Sequence, residues 1–226
     1  MMLASPAKRI TCEQCLRPLS ACLCCWISQT ANAVEVVVLQ HPLEESSAKG
    51  SARLLHLSLS RSRIVTGEMF AKQDLLSLLR DRFEPNAESI RDGKHAILLY
   101  PKTNEDKLTA PILTPEMLSD PSRLRLIVLD ATWRKSRKML HLNLLLQQLP
   151  RLSLLDVPLS RYLIRKAHRA DQLSTLEATC LALTQLEGNA QRYQPLLNAF
   201  DGFIARQLAQ REAGIAAASI SSGNAI

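Results

Sequence analysis

Glycine is scarce in this chain: 7 of 226 residues, with neither a G-x-G-x-x-G nor a Walker-type run among them. Such loops work because glycine lets backbone N–H groups close around phosphates, so a Rossmann or P-loop nucleotide site is excluded. An adenosine-containing cofactor would have to be held in another way. A G-x-S-x-G elbow is also missing, which argues against a hydrolase of that type. No apolar run reaches the ~18 residues that a membrane span needs, and the opening MMLASPAKRI lacks the apolar stretch of a secretory signal. The expectation is a cytoplasmic protein with no membrane association.

What is present begins with a core and a charge. A hydrophobic content of 46% over this length supports one main domain with a small appendage. The net charge of +7 suits a polyanionic partner, either a nucleic acid or a phosphorylated substrate. Nothing in the sequence points to a protein partner.

Five of the six cysteines lie in CEQCLRPLSACLCC, residues 12 to 25. Cys12 and Cys15 form a C-x-x-C hook and Cys22 and Cys24 a C-x-C hook, so four thiolates can converge on one ion, most naturally zinc. Four protein thiolates leave no open coordination position, which makes such a zinc structural. Cys25 is the alternative to Cys24 as fourth ligand. A disulfide framework is the competing reading, disfavoured by a reducing compartment. Cys180, inside LEATCLALTQL, reads as core.

Beyond this knuckle, short apolar strands at 34–39, 62–65, 96–100, 124–129 and 152–155 alternate with helical patterns at 45–57, 72–80, 114–118 and 132–146. Alternation of this kind implies an α/β fold with a mostly parallel sheet and helices on both faces. Two further helices are expected at 175–186 and 191–210, followed by a frayed tail. Ligands of such sheets gather at the carboxyl ends of the strands. Four polar clusters fall there: Gln40 to Glu44, Pro101 to Asn104, Asp130 to Trp133, and Tyr162 to Glu177. Each also has a plain structural reading, Thr132 as a helix N-cap and Ser174 to Glu177 as a capping box.

The ordered set CEQCLRP, CLC, LQHPLE, LLYP, LDATW, YLIRK and LSTLEA resembles the DTW-domain family, named for the Asp-x-Thr-Trp motif found here as Asp130, Thr132 and Trp133. The sequence departs from the family pattern at Lys49-Gly50-Ser51-Ala52-Arg53, where Asn-Thr usually precedes the alanine. The resemblance implies transfer of a 3-amino-3-carboxypropyl group from S-adenosylmethionine to N3 of a uridine in the variable loop of tRNA. It further implies a SPOUT-like fold, in which the sheet carries a trefoil knot. Under this resemblance Asp130, Thr132 and Trp133 are the catalytic candidates, and Pro101, Leu129, Ser174, Thr175 and Glu177 the expected cofactor contacts. Arg134, Lys138, Arg161, Tyr162, Arg165 and Lys166 are expected to meet the tRNA.

Asp130 has three readings: base for the uridine N3 proton, anchor for the cofactor's ammonium, or guide for the uracil. On a helix, residues 134, 137 and 138 share a face and Lys135 points elsewhere. Two rival functions remain: a methyltransferase of similar fold, and a non-catalytic RNA-binding module with a zinc knuckle.

Overall fold

The computed structural model describes residues 10–45, 51–81, 94–101, 111–155 and 173–222, with side chains as far as residue 213. Strands β1 (Glu35–Gln40), β2 (Ser62–Thr66), β3 (His95–Leu99), β4 (Leu124–Asp130) and β5 (Arg151–Leu152) form a parallel five-stranded sheet in the order β2-β1-β4-β3-β5. The helices are α1 (Pro42–Glu45), α2 (Ala52–Ser58), α3 (Lys72–Arg80), α4 (Pro115–Leu118), α5 (Trp133–Leu142), α6 (Leu144–Gln147), α7 (Thr175–Glu187) and α8 (Ala190–Ser222). The threading implied by the family resemblance involves connections that include 82–93, 102–110 and 156–172, which lie outside the described residues.

Side-chain parity sorts the core into two layers. Val36 and Val38 of β1 and Leu126 and Val128 of β4 point to one face, where they pack with Leu54, Leu55, Cys180, Leu183 and Phe200 from α2, α7 and α8. Val37, Leu39 and Ile127 point to the other face and meet Leu75, Leu79, Met139 and Leu146 from α3, α5 and α6. Strands covered on both faces must be apolar throughout, and β1 is accordingly buried along its full length.

The register between β1 and β4 places polar pairs at both ends. At the amino end Glu35 faces Arg125. Both are buried, and Arg125 Nε donates to Glu35 Oε2 at 3.0 Å while Nη1 donates to Leu78 O at 2.7 Å. At the carboxyl end Gln40 faces Asp130. Being of even number, these two side chains emerge on the α7 side.

Several boundaries differ from the sequence reading. The expected helix 132–146 breaks at Asn143, whose Nδ2 donates to Glu68 O and Met139 O (2.9 and 2.7 Å) and whose Oδ1 accepts Phe70 N at 2.9 Å. A short amide side chain that bonds backbone in this way competes with continued helix. The last strand shrinks to two residues, and α8 continues past Gln210 to Ser222 through an alanine-rich stretch of high helix propensity. α7 ends where Gly188 takes φ +64°, a left-handed cap that glycine adopts without a Cβ clash.

The cysteine knuckle is sewn into the main core. Cys15 and Leu23 are 1% and 0% exposed and pack with the α7 and α8 residues. Trp26 lies so close to α8 that a Cβ at Gly202 would sit 2.2 Å from the indole. Arg17 stacks over Phe203, 5.4 Å from the ring centroid, and Arg53 of α2 donates to Gln14 O at 2.8 Å.

Candidate active site and candidate metal centre

Asp130 ends β4 and is 7% exposed. Its Oδ2 accepts Gln40 Nε2 at 2.8 Å and its Oδ1 accepts the Thr175 hydroxyl at 2.6 Å. The carboxylate is thus fixed from two sides, by the neighbouring strand and by the first residue of α7. Thr175 is presented there by a complete capping box: Ser174 Oγ accepts Glu177 N at 3.2 Å, and Glu177 Oε2 accepts Ser174 N at 2.8 Å. The buried Ser51 hydroxyl accepts Leu176 N at 3.2 Å, so the family-variant segment still ties α2 to this helix start.

Beside Asp130 opens a cleft of about 310 Å³ at the carboxyl ends of β3, β4 and β5. Pro101, Leu129, Trp133, Ser174 and Thr175 all line it, with Tyr100 and leucines 99, 152, 154 and 173. Trp133 is half exposed and meets Tyr100 edge-on, ring centroids 5.9 Å apart, while the Arg151 guanidinium lies over the Tyr100 ring, 5.4 Å from its centroid. Mostly apolar walls with a few converging hydroxyls are the usual make-up of a small-molecule site. Glu177 does not line this cleft; its carboxylate caps the helix. Thr132 takes the N-cap position of α5 without a side-chain cap hydrogen bond.

The cations after the motif divide as helical spacing requires. Arg134, Arg137 and Lys138 are exposed, and Lys135 turns inward to Glu44 at 2.9 Å. Lys138 also pairs with Glu68 at 2.9 Å. His41 Nδ1 accepts Leu43 N, which leaves Nε2 to donate to Glu68 Oε1 at 3.1 Å. The hydrogen bond from Lys138, and after it that from His41, holds the Glu68 carboxyl below the usual range. These pairs clasp α5 to the segments that follow β1 and β2. Arg161, Tyr162, Arg165 and Lys166 lie outside the described residues, as do Lys49 and Gly50.

The four sulfurs of Cys12, Cys15, Cys22 and Cys24 lie within 4.8 Å of one another. A tetrahedral ion with metal–sulfur bonds of about 2.3 Å requires sulfur–sulfur edges of about 3.8 Å. The Cys12–Cys24 and Cys15–Cys22 separations are 3.6 and 3.8 Å, and all six cysteines are free thiols. Hydrogen bonds from the Cys15 and Gln14 backbone pull the Cys12 thiol down to about 6, toward the thiolate that a metal takes. The residues present fit a four-thiolate metal. Cys25 stands outside the cluster, exposed and 3.6 Å from Arg206 Nη1. Cys180 is buried, and burial raises its thiol.

Gln40 and Tyr100 are the site residues that sequence reasoning left unassigned. Each is the polar-capable residue ending an apolar run, VEVVVLQ and AILLY, and that position was the available signal.

A family model described as DTW domain matches residues 9–208. Among curated proteins, a relative from Drosophila melanogaster named tRNA-uridine aminocarboxypropyltransferase 2 is 29% identical over 85% of this chain and 72% of its own length. Relatives of the same name from Macaca fascicularis and Mus musculus are 27% and 28% identical, over 90% and 89% of this chain. The chain spans 65% and 64% of the length of these two. No solved structure matches the chain.

Proposed function

The chain belongs to the DTW-domain family, and on that premise we propose that it is a tRNA-uridine aminocarboxypropyltransferase using S-adenosylmethionine as co-substrate. N3 of a variable-loop uridine attacks the methionine Cγ; the Cγ–S bond breaks with its electron pair going to sulfur, methylthioadenosine leaves, and the N3 proton passes to a base.

The observation that carries this reading is the two-sided hold on Asp130 at the edge of an apolar cleft. Each carboxylate oxygen can accept two donors, so neither hydrogen bond uses up an oxygen. Asp130 is therefore our choice for the proton acceptor, with Thr175 setting its orientation from the cofactor side. The cleft walls, from Pro101 and Leu129 to Ser174 and Thr175, suit the adenosine and thioether parts of the cofactor. The rings of Trp133 and Tyr100 suit its sulfonium, since a cation is attracted to an aromatic face. Arg134 is a phosphate contact in this proposal, together with Arg161, Arg165 and Lys166, and Tyr162 stacks on a base.

The metal in the cysteine cluster is, in this proposal, structural zinc. Freshly purified protein should contain about one equivalent, and Cys15→Ser or Cys22→Ser should lose it. No helix among the described residues is long and apolar enough to cross a membrane, and we place the protein in the cytoplasm with its tRNA substrate.

Incubation of the protein with S-adenosylmethionine and tRNA, followed by mass spectrometry of cofactor products and nucleosides, tests the activity. Methylthioadenosine with an aminocarboxypropylated uridine is expected. S-adenosylhomocysteine in its place would mean methylation, and cofactor binding without turnover would refute the transferase reading.

A further inference from the structure

The carboxyl edge of the sheet carries a second cavity. It has about 500 Å³ and opens over β1 and β2, on the other side of Asp130 from the apolar cleft. Gln40 and Thr66, the last residues of those strands, form its floor. Arg53 and His56 of α2, Arg17 of the cysteine knuckle and Glu44 of α1 supply its polar walls, with Cys15 and Leu16 beside them. This size falls within the ~300–1,000 Å³ of ordinary ligand sites.

Asp130 joins the two cavities. Its Oδ1 is held by Thr175, which lines the apolar cleft, and its Oδ2 by Gln40, which lines the polar cavity. A group transfer needs its donor and acceptor on either side of the reacting atoms, and this carboxylate touches residues of both cavities. Resting on the transferase reading above, we infer that the polar cavity receives the acceptor nucleotide, a uridine turned out of the tRNA fold, and that the cysteine knuckle exists in part to build its wall.

The chemistry of the lining matches a nucleotide. A guanidinium grips a phosphate through parallel N–H donors. Arg53 anchors one end of its guanidinium on Gln14 O, while its Nε is buried without a hydrogen-bond partner among the described residues. Gln40 has a second N–H beyond that used on Asp130, and an acceptor oxygen. Its free N–H can donate to a carbonyl oxygen of uracil, which single-stranded RNA exposes when a base is splayed out, and this leaves N3–H to Asp130. His56 is kept toward its neutral form by burial and by Arg53. Glu44 is already paired with Lys135. Glu45 lines the cavity beside it, so the wall built by Arg53 and Arg17 is the cationic side, suited to a backbone phosphate.

A tRNA transcript with 4-thiouridine at the accepting position, irradiated on zinc-loaded wild-type protein, locates the nucleotide by peptide mass spectrometry. Crosslinks within residues 12–17, 40–45 or 53–66 are expected; no crosslink in any of these overturns the assignment. Arg53→Ala should raise KM for tRNA tenfold or more, as loss of a charged hydrogen bond does, with S-adenosylmethionine affinity and zinc content unchanged. Wild-type turnover with an unaltered KM in Arg53→Ala overturns the pocket alone. Wild-type protein that forms no methylthioadenosine brings down the transferase reading, and the pocket with it. Because the crosslink is read on the unmodified chain, a folding defect in the variant does not shield the inference.

Discussion

Asp130→Asn separates chemistry from architecture. The carboxylate accepts hydrogen bonds from Gln40 Nε2 and Thr175 Oγ1, and asparagine retains one acceptor oxygen while its other terminus becomes a donor. Either partner can adapt, Gln40 by flipping its amide and Thr175 by accepting through its hydroxyl oxygen. Both contacts then survive as neutral hydrogen bonds. A charged bond contributes about 1.5–3 kcal/mol and a neutral one about 0.5–1.5, so the two losses together come to about 2 kcal/mol. The variant should fold, bind zinc and bind tRNA, with a melting temperature lower by several degrees. Its transfer rate should drop on the order of 10²–10⁴-fold, the usual effect of removing a general base. The assay is single-turnover formation of methylthioadenosine at saturating tRNA and cofactor, across pH. Rising pH should partly restore the rate, because uridine N3 then ionises unaided. A rate that stays low at high pH, with weakened cofactor affinity, would reassign Asp130 to the cofactor's ammonium. Near-wild-type turnover at neutral pH would refute both roles.

Gly202→Ala drives a methyl group into the Trp26 indole; it should destabilise by about 1–3 kcal/mol, seen as a lower urea midpoint, and an unchanged midpoint would show that the knuckle is not clamped on α8. Arg125→Ala leaves Glu35 buried with Lys94 at 3.2 Å as a remaining cation, so the loss should fall near the low end of the roughly 3–5 kcal/mol for a broken buried pair; equilibrium unfolding that finds under 1 kcal/mol would contradict a stabilising role for the buried Glu35–Arg125 pair. His56 has its folded-state value depressed below the ordinary 6.5, so its neutral form contributes stability that is present above that value and lost as pH falls through and below it. His56→Gln should flatten the fall in melting temperature between pH 7 and pH 5, and a parallel fall in both proteins would remove His56 as a cause.

The sequence by itself determined most local elements and the four-cysteine cluster. Alternation of apolar strands with helical periods dictated a parallel sheet, because strands buried on both faces leave no other covering. The four thiols come from one short segment, so hook spacing alone brings their sulfurs together, and the structure leaves Cys25 outside the group. Ser174, Thr175 and Glu177 were legible as a helix start for the same reason, since a capping box closes within four residues. The partnership of Gln40, Asp130 and Thr175 was not legible. Gln40 and Asp130 are 90 residues apart, and Asp130 and Thr175 are 45. Only the pairing register of β1 with β4, and the docking of α7 on their even-numbered face, brings them within hydrogen-bond distance. The same holds for Lys135 and Lys138, whose places on different faces of α5 could be read from helical spacing but whose glutamate partners lie across a tertiary contact. Cavities belong to that second class too: they are spaces between elements, and their shape follows from packing that no local pattern encodes.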